Sequence, residues 1–255
     1  MLGDEKMTNQ IRILDLVPIP LTPDAESFLI TRREYSKYLS DITKGYISLE
    51  TRVVKEGMAS IENFFDEAVN TLSILRSIRS IKSDEFDAII IDCMGDPGLD
   101  AAREISDIPI VGALESSVHL ASVIGDPFGI VGILESTIPA YYFAIRKYGL
   151  QNKLAGIKSI NVPVLDIDKN REITMEKTLS VIKELTDMGA NSILLGCTGL
   201  ISFVQELQKH TNVPIIDPLA AAVGLVVQIK ITGTFMSKKL WSKLPPKDFI
   251  GGNLW

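Results

Sequence analysis

The chain has 255 residues, 46% of them hydrophobic, which is enough to bury a sizeable core as one domain or as two lobes of about 120 residues each. Its net charge of −6 argues against nucleic acid and anionic membranes as partners, since both require clustered Lys and Arg, and favours a small-molecule partner. With two cysteines and two histidines we expect free thiols and no metal site.

Short apolar runs alternate with amphipathic segments along the chain. The apolar runs predict strands, and because most are nearly continuous they are typical of strands buried on both faces. These predicted strands cover residues 11–18, 46–54, 87–92, 108–111, 129–134, 192–195 and 213–216. The segments between them predict helices over 59–80, 97–106, 116–124, 139–148, 171–188, 200–209 and 219–231. This alternation predicts an α/β fold with a mainly parallel sheet.

The two ends of the chain and its most apolar segment bear on the cellular location of the protein. Residues 1–10 lack the basic start and apolar core of a secretory signal. The strongly apolar segment 219–227 is far shorter than the roughly 20 residues that span a bilayer. We therefore expect a cytoplasmic protein with no membrane partner. Residues 241–255 contain paired prolines and paired glycines and predict an irregular C-terminal tail.

The chain contains an internal repeat. The segment AIIIDC at 88–93 is followed, 16 residues after Cys93, by a proline-led apolar run, and SILLGC at 192–197 is followed by another, 17 residues after Cys197. Both cysteines therefore occupy the same place in the two copies. We predict two pseudo-symmetric, intertwined lobes in one compact unit, the first at about 11–120, to which 210–231 could return, and the second at about 121–209.

The repeat predicts a site where the two cysteine-bearing strands end. If the lobes face each other, those strand ends converge on a crevice outside the carboxyl edges of the sheets, where open α/β sheets bind ligands. After Cys93, Asp96 is a candidate helix N-cap, and after Cys197, Thr198 is another. A thiol at a helix N-terminus has a lowered pKa, and the free N–H groups there favour an anionic ligand.

Each of these residues also has an ordinary structural interpretation. A cysteine at the end of a buried strand is usually a small hydrophobic residue, and Gly-Asp-Pro-Gly is usually a turn. The matched positions of the cysteines favour a functional interpretation. Glu115, which follows a strand end, is assigned to the crevice, whereas His119 and His210 are interpreted as structural.

The two cysteine segments resemble a known family. Residues 92–104, DCMGDPGLDAARE, with IPIVG at 108–112, and LGCTGL at 195–200 with VPIIDP at 213–218 are similar to the hydantoin and allantoin racemase branch of the aspartate/glutamate racemase superfamily. Glu115, three residues after IPIVG, is part of the same resemblance. The resemblance implies an oligomer, which we take to be a homo-oligomer, and an enzyme that needs no cofactor.

The resemblance also implies roles for individual residues. Cys93 and Cys197 would be the two acid/base thiols, and Thr198 and Gly199 would line the substrate site. Gly95 and Asp96 would line it as well. One segment departs from the family, because VPIPLT at 17–22 stands where members commonly carry an Asn-Pro-Asn-Thr-like turn. Pro20 is retained as a loosely matched substrate residue, and the substrate stays open.

The resulting hypothesis is a racemase for a carbon acid next to a carbonyl, such as a 5-substituted hydantoin or allantoin. One thiolate would remove the proton, and the other thiol would return a proton to the opposite face. Two further hypotheses remain open. The first is an enzyme that uses one cysteine, as a maleate-type cis-trans isomerase or a decarboxylase. The second is a two-lobed small-molecule-binding protein in which the thiols only pack.

Overall fold

The computed structural model describes residues 10–242, which form two four-stranded parallel sheets. The first contains β1 (Ile11–Pro20), β2 (Ile47–Val54), β3 (Ala88–Ile91) and β4 (Ile110–Gly112), in the order β2-β1-β3-β4. The second contains β5 (Phe128–Gly132), β6 (Leu154–Ser159), β7 (Ser192–Leu195) and β8 (Ile215–Ile216), in the order β6-β5-β7-β8. The identical order confirms the predicted α/β class and the two pseudo-symmetric lobes.

The two cysteine-bearing strands, β3 and β7, hold central positions in their sheets. Every residue of both is buried, as expected for strands covered on both faces. In the first sheet Ile90 pairs with Asp15 and Val111, and in the second Leu194 pairs with Ile130 and Ile216. Because β3 and β7 hold the same position in their sheets, Cys93 and Cys197, which follow them, lie at equivalent places beyond the carboxyl ends of the strands.

Helices cover both sheets: α1 (Glu26–Ile42), α2 (Phe64–Ser80), α3 (Leu99–Ile105), α4 (Ala113–Ile124), α5 (Ile138–Lys147), α6 (Arg171–Asp187), α7 (Val204–Lys209) and α8 (Pro218–Thr232). Helix α8 shows the expected end signals. The Asp217 carboxylate accepts hydrogen bonds from the N–H groups of Leu219 and Ala220, and Gly233 ends the helix in the left-handed conformation. Within residues 10–242, no helix is long and apolar enough to cross a membrane.

Two helices cross between the halves of the chain. Helix α4 follows the first sheet in sequence, yet its Leu114 and Val118 pack in one cluster with Phe128 of the second sheet. Helix α8 follows the second sheet, yet its Ala222 and Val226 pack in one cluster with the first. This exchange is what intertwined halves would produce, and the intertwining itself stays a prediction. The residue bounds of the lobes stay a prediction.

Among the strands and α-helices of the described residues, two were not predicted from sequence. Helix α1 buries only Phe28, Arg32 and Leu39, so its apolar periodicity is weak. Strand β6 lies at a sheet edge and buries only Gly156 and Ile157, so it lacks a continuous apolar run.

Several predicted boundaries also move. Helix α2 begins at Phe64 rather than at residue 59, because the Asn63 side chain accepts a hydrogen bond from the N–H of Asp66 and so caps it there. In place of the predicted helix 200–209, the structure has a 3-10 segment, Thr198–Phe203, followed by α7. The predicted tail, 241–255, lies outside the described residues from residue 243 onward. Trp241 is described, and its ring centre lies 5.5 Å from the Arg103 guanidinium.

Candidate active site

A pocket opens where the segments that follow β3 and β7 meet. Cys93, Met94 and Gly95 line it from the first half of the chain. The run 196–199, which contains Cys197, lines it from the second half. Most of its other walls are apolar: Val17, Pro18, Ile19, Phe28, Ile61, Ile133, Ala140 and Val164. Both thiols therefore face one largely apolar space.

The thiol of Cys197 is held by the backbone that follows it. Its Sγ accepts a hydrogen bond from the N–H of Gly199 at 3.3 Å. Burial raises the pKa of Cys197 to about 11, and the Gly199 N–H and the Arg32 charge limit that rise. Asp92 and Glu62 act in the opposite direction on the same pKa.

The thiol of Cys93 is harder to ionise. Burial raises its pKa far above the ordinary range, and a hydrogen bond from the Gly95 N–H lowers it only in part. The charges of Cys197, Asp96 and Glu67 raise it further. Burial and these charges therefore oppose ionisation of Cys93, whereas the Arg32 charge favours ionisation of Cys197.

The prediction that helix N-termini lower both cysteine pKa values is wrong. Helix α3 begins at Leu99, six positions after Cys93, so that thiol lies beyond its first turn. Cys197 does precede a 3-10 segment and receives one N–H bond. Removal of water around each sulfur outweighs these favourable contacts, because desolvation penalises the charged form.

The two predicted capping roles are also wrong. Gly98, in the left-handed conformation, precedes α3, while the Asp96 carboxylate reaches α4 and accepts hydrogen bonds from the N–H groups of Leu114 and Glu115. It also accepts one from the Tyr148 hydroxyl at 2.6 Å. The Thr198 hydroxyl donates to the backbone oxygen of Asp92 at 3.3 Å, so it ties the two cysteine segments together instead of capping a helix.

A buried ionic cluster lies beside the Cys197 segment. Arg32, at 2% exposure, donates from Nε to the Asp92 carboxylate at 2.7 Å and from Nη2 to the backbone oxygen of Thr198 at 3.0 Å. Its Nε also lies 3.9 Å from Asp15, whose carboxylate accepts a hydrogen bond from Thr51. Burial and the neighbouring Asp92 raise the pKa of Asp15 well above its usual range. This cluster links β1, α1 and β3 to the loop that carries Cys197.

Two carboxylates line the pocket at the start of α2. Glu62 Oε1 accepts a hydrogen bond from the N–H of Val164 at 2.8 Å, which joins two distant segments at the pocket wall. Glu67 lies in the first turn of α2 and also lines the pocket. Burial raises the pKa of Glu67, while the charge of Lys147 lowers it. The pocket is therefore polar at this end and apolar over most of its remaining wall.

Not every predicted site residue reaches this pocket. Cys93, Cys197, Gly95, Thr198 and Gly199 line it, whereas Asp96, Glu115 and Pro20 do not.

The residues outside the pocket have other contacts. Asp96 is held by α4, as described above. Glu115 forms a bidentate ion pair with Arg103, whose Nε donates to the backbone oxygen of Ile110. Pro20 ends β1, and the neighbouring Pro18 lines the pocket, with its backbone oxygen accepting a hydrogen bond from buried Asn70 at 2.8 Å.

Sequence reasoning missed Arg32, Glu62 and Glu67. An arginine on the buried face of a helix is an available signal, but α1 itself was not predicted. Acidic residues near a helix start are common for electrostatic reasons, so Glu62 and Glu67 carry no distinguishing pattern. Across residues 10–242, no group of three or more His, Cys, Asp or Glu side chains is arranged to hold a metal ion.

Comparison with known proteins gives consistent matches. The sequence model of the family described as Asp/Glu/Hydantoin racemase matches residues 33–226. A hydantoin racemase from Pseudomonas sp. (strain NS671) is 33% identical over 222 residues, covering 85% of this chain and 89% of that protein. One from Paenarthrobacter aurescens is 36% identical over 184 residues, covering 71% and 78%. The solved structure of an allantoin racemase from Klebsiella pneumoniae superposes with a TM-score of 0.85 at 28% identity, covering 95% and 97%.

Proposed function

The chain belongs to the Asp/Glu/hydantoin racemase family and is a racemase, and we propose that it inverts a 5-substituted hydantoin or allantoin through Cys93 and Cys197 without a cofactor. One observation carries this proposal. The two thiols follow equivalent central strands of two sheets with the same strand order, and both line a single pocket. A substrate between them would meet a proton-transfer group on each face.

Inversion at carbon requires a base and an acid on opposite sides of the stereocentre. One thiolate takes the proton from the carbon next to the carbonyl, which leaves a planar carbanion delocalised onto the carbonyl oxygen. The opposite thiol then donates its proton to the other face. Each turnover leaves the enzyme with the proton on the other sulfur, so the reverse reaction starts from that state.

The electrostatics suggest how the thiols divide this work. With a pKa of about 11, roughly one Cys197 in 10³ is ionised at pH 8. A thiolate with so high a pKa is a strong base, which suits removal of a weakly acidic C–H proton. Cys197 is therefore assigned as the base in the fraction of enzyme that carries its thiolate, and Cys93, which is harder to ionise, as the acid in that direction.

The residues next to the thiols favour a ring substrate over a free amino acid. Met94 and Gly95 follow Cys93, and Thr198 and Gly199 follow Cys197, so no charged side chain stands there to hold an α-carboxylate. Among the described pocket-lining residues, Arg32 is the only cationic side chain; its Nε and Nη2 donate to Asp92 and Thr198, and only the buried Nη1 has no partner. The imide and ureido groups of a hydantoin carry no charge that would need such a partner when the ring is neutral.

The proposal is tested by incubating the protein in deuterated water with single enantiomers of 5-substituted hydantoins, allantoin, aspartate and glutamate. Optical rotation reports inversion, and mass spectrometry reports deuterium uptake at the stereocentre. We expect both with at least one hydantoin or allantoin, and a higher kcat/KM than with either amino acid.

A parallel sample is dialysed against a chelator, and another is alkylated with iodoacetamide. Chelation should leave the rate unchanged, whereas alkylation should abolish it. Efficient racemisation of aspartate or glutamate with inert hydantoins would overturn the substrate assignment. A covalent cysteine adduct without inversion would instead favour the one-cysteine isomerase.

A further inference from the structure

Glu67 is a pocket carboxylate without a hydrogen-bond donor among the described residues. Its neighbours on the same segment are satisfied: Glu62 accepts the N–H of Val164, and Asp66 accepts the N–H of Glu62 and an amide N–H of Asn63. Within residues 10–242, no group donates a hydrogen bond to the Glu67 side chain, which is half-buried at the pocket wall. A carboxylate withdrawn from water is stabilised by a donor, so this position suits an N–H group of a ligand.

Glu67 also lies beside the reacting end of Cys93. The position that a Cβ would take on Gly95 is 3.8 Å from Cys93 Sγ and 3.8 Å from Glu67 Oε2. Both atoms thus border the same small space, which stays open because residue 95 has no side chain. A ligand the size of a hydantoin ring can therefore contact Glu67 while its stereocentre faces Cys93.

We propose that Glu67 accepts a hydrogen bond from the ring N–H bonded directly to the stereocentre of the substrate, and so selects substrates that carry this donor. In a hydantoin this nitrogen is N1, whereas N3 lies between the two carbonyl groups, one atom farther from the stereocentre. This inference rests on the proposed function, since it takes a cyclic urea as the substrate. It makes Glu67 a specificity-determining residue beside the two thiols.

The test combines variants of the enzyme with methylated ligands. The ligands are a 5-substituted hydantoin and its N1-methyl and N3-methyl derivatives, and the proteins are wild type, Glu67→Ala and Glu206→Gln. Glu206 is an exposed carboxylate paired with Lys209 outside the pocket, so its variant is the matched control. Affinity is measured by calorimetry and turnover by optical rotation.

We expect N1-methylation to weaken binding to wild type and to the control by about 10- to 100-fold, as for loss of a charge-assisted hydrogen bond. Glu67→Ala should lose a similar factor with the parent hydantoin. The alanine also leaves room for a methyl group, so N1-methylation should have little further effect on this variant. N3-methylation should change affinity by the same factor in all three proteins.

Two results would overturn the inference. One is a Glu67→Ala variant that binds the parent hydantoin as tightly as wild type. The other is an N1-methyl effect of equal size with and without the carboxylate. If only the proposed function is wrong, the result differs: hydantoins would bind with an affinity that depends on Glu67, but the protein would not invert them. Absence of any hydantoin binding by the wild-type protein would reject both.

Discussion

Arg32 donates a hydrogen bond from Nη2 to the backbone oxygen of Thr198, 3.0 Å away, although 166 positions of sequence separate the two residues. The same guanidinium binds Asp92 through Nε at 2.7 Å. One buried side chain thus joins the residue before Cys93 to the residue after Cys197. This contact links the two thiol segments directly.

Replacing Arg32 by Met should destabilise the fold, because Asp92 would remain buried without its counter-charge. We expect the free energy of unfolding to fall by about 3–5 kcal/mol, measured by urea denaturation. Arg12→Met, which breaks an exposed pair with Asp87, is the control and should change it by less than about 1 kcal/mol. An equal decrease in the free energy of unfolding in the two variants would show that the buried Arg32–Asp92 pair stabilises the fold no more than the Arg12–Asp87 pair.

The two thiols should differ in their rates of alkylation. Cys197, with a pKa of about 11 and a nearby Arg32, should react with iodoacetamide before Cys93, whose pKa is higher still. Below its pKa, a thiol gains about tenfold in thiolate for each pH unit. The Cys197 rate should therefore rise about tenfold per unit between pH 7 and 10, followed by peptide mapping with mass spectrometry.

This order contradicts the expectation drawn from helix N-termini, so the experiment separates the two physical accounts. A rate that levels off below pH 8, or a faster reaction at Cys93, would mean that burial does not dominate the pKa values. Arg32→Lys keeps the charge but not the geometry of the guanidinium. Its Cys197 should therefore react at a rate close to that of wild type at the same pH, because the charge that limits the rise of the Cys197 pKa remains.

Removing either thiol should abolish racemisation but not every proton transfer. Cys93→Ala and Cys197→Ala should each lower kcat by at least about 10³-fold, since one face loses its acid or base. Each variant should still exchange deuterium with one enantiomer, and the two variants should favour opposite enantiomers. Circular dichroism checks the fold, and substantial inversion by both variants would exclude the two-thiol mechanism.

Gly199, two residues after Cys197, lies where its surroundings leave no space for a side chain. A Cβ there would lie 2.8 Å from Phe28 Cε1 and 3.0 Å from Ile167 Cδ1, so in Gly199→Ala these side chains or the backbone that holds the thiol must move. We expect kcat to fall by about tenfold or more, because a shift of about 1 Å can misalign a reacting group.

The matched control is Gly224→Ala in α8, where a Cβ would meet no atom within 4 Å. That variant should keep full activity and gain about 0.5–1 kcal/mol of stability, because alanine favours a helix over glycine. Melting temperature and kcat measured on both variants check the contrast. Full activity in Gly199→Ala would mean that the Cys197 segment tolerates displacement.

The sequence by itself determined the strands that carry the thiols and the equivalence of their positions. The continuous apolar runs at β3 and β7 indicate strands buried on both faces, because side chains alternate between the two faces of a strand and all of them are buried here. The repeat then required Cys93 and Cys197 to stand at equivalent strand ends. The strand predictions depend only on neighbours in the chain, and the repeat only on a comparison of two segments of the sequence; the sheet order agrees with both.

Only the tertiary structure decided what surrounds those thiols. Arg32 meets Thr198, Asp96 meets Leu114, and Glu67 shares a space with Cys93, yet nothing local in the sequence marks these pairs. Chain topology brings them together after the sheets and helices have packed. The same packing removes water from both sulfurs, and the resulting desolvation reverses the pKa shift that the local sequence predicts.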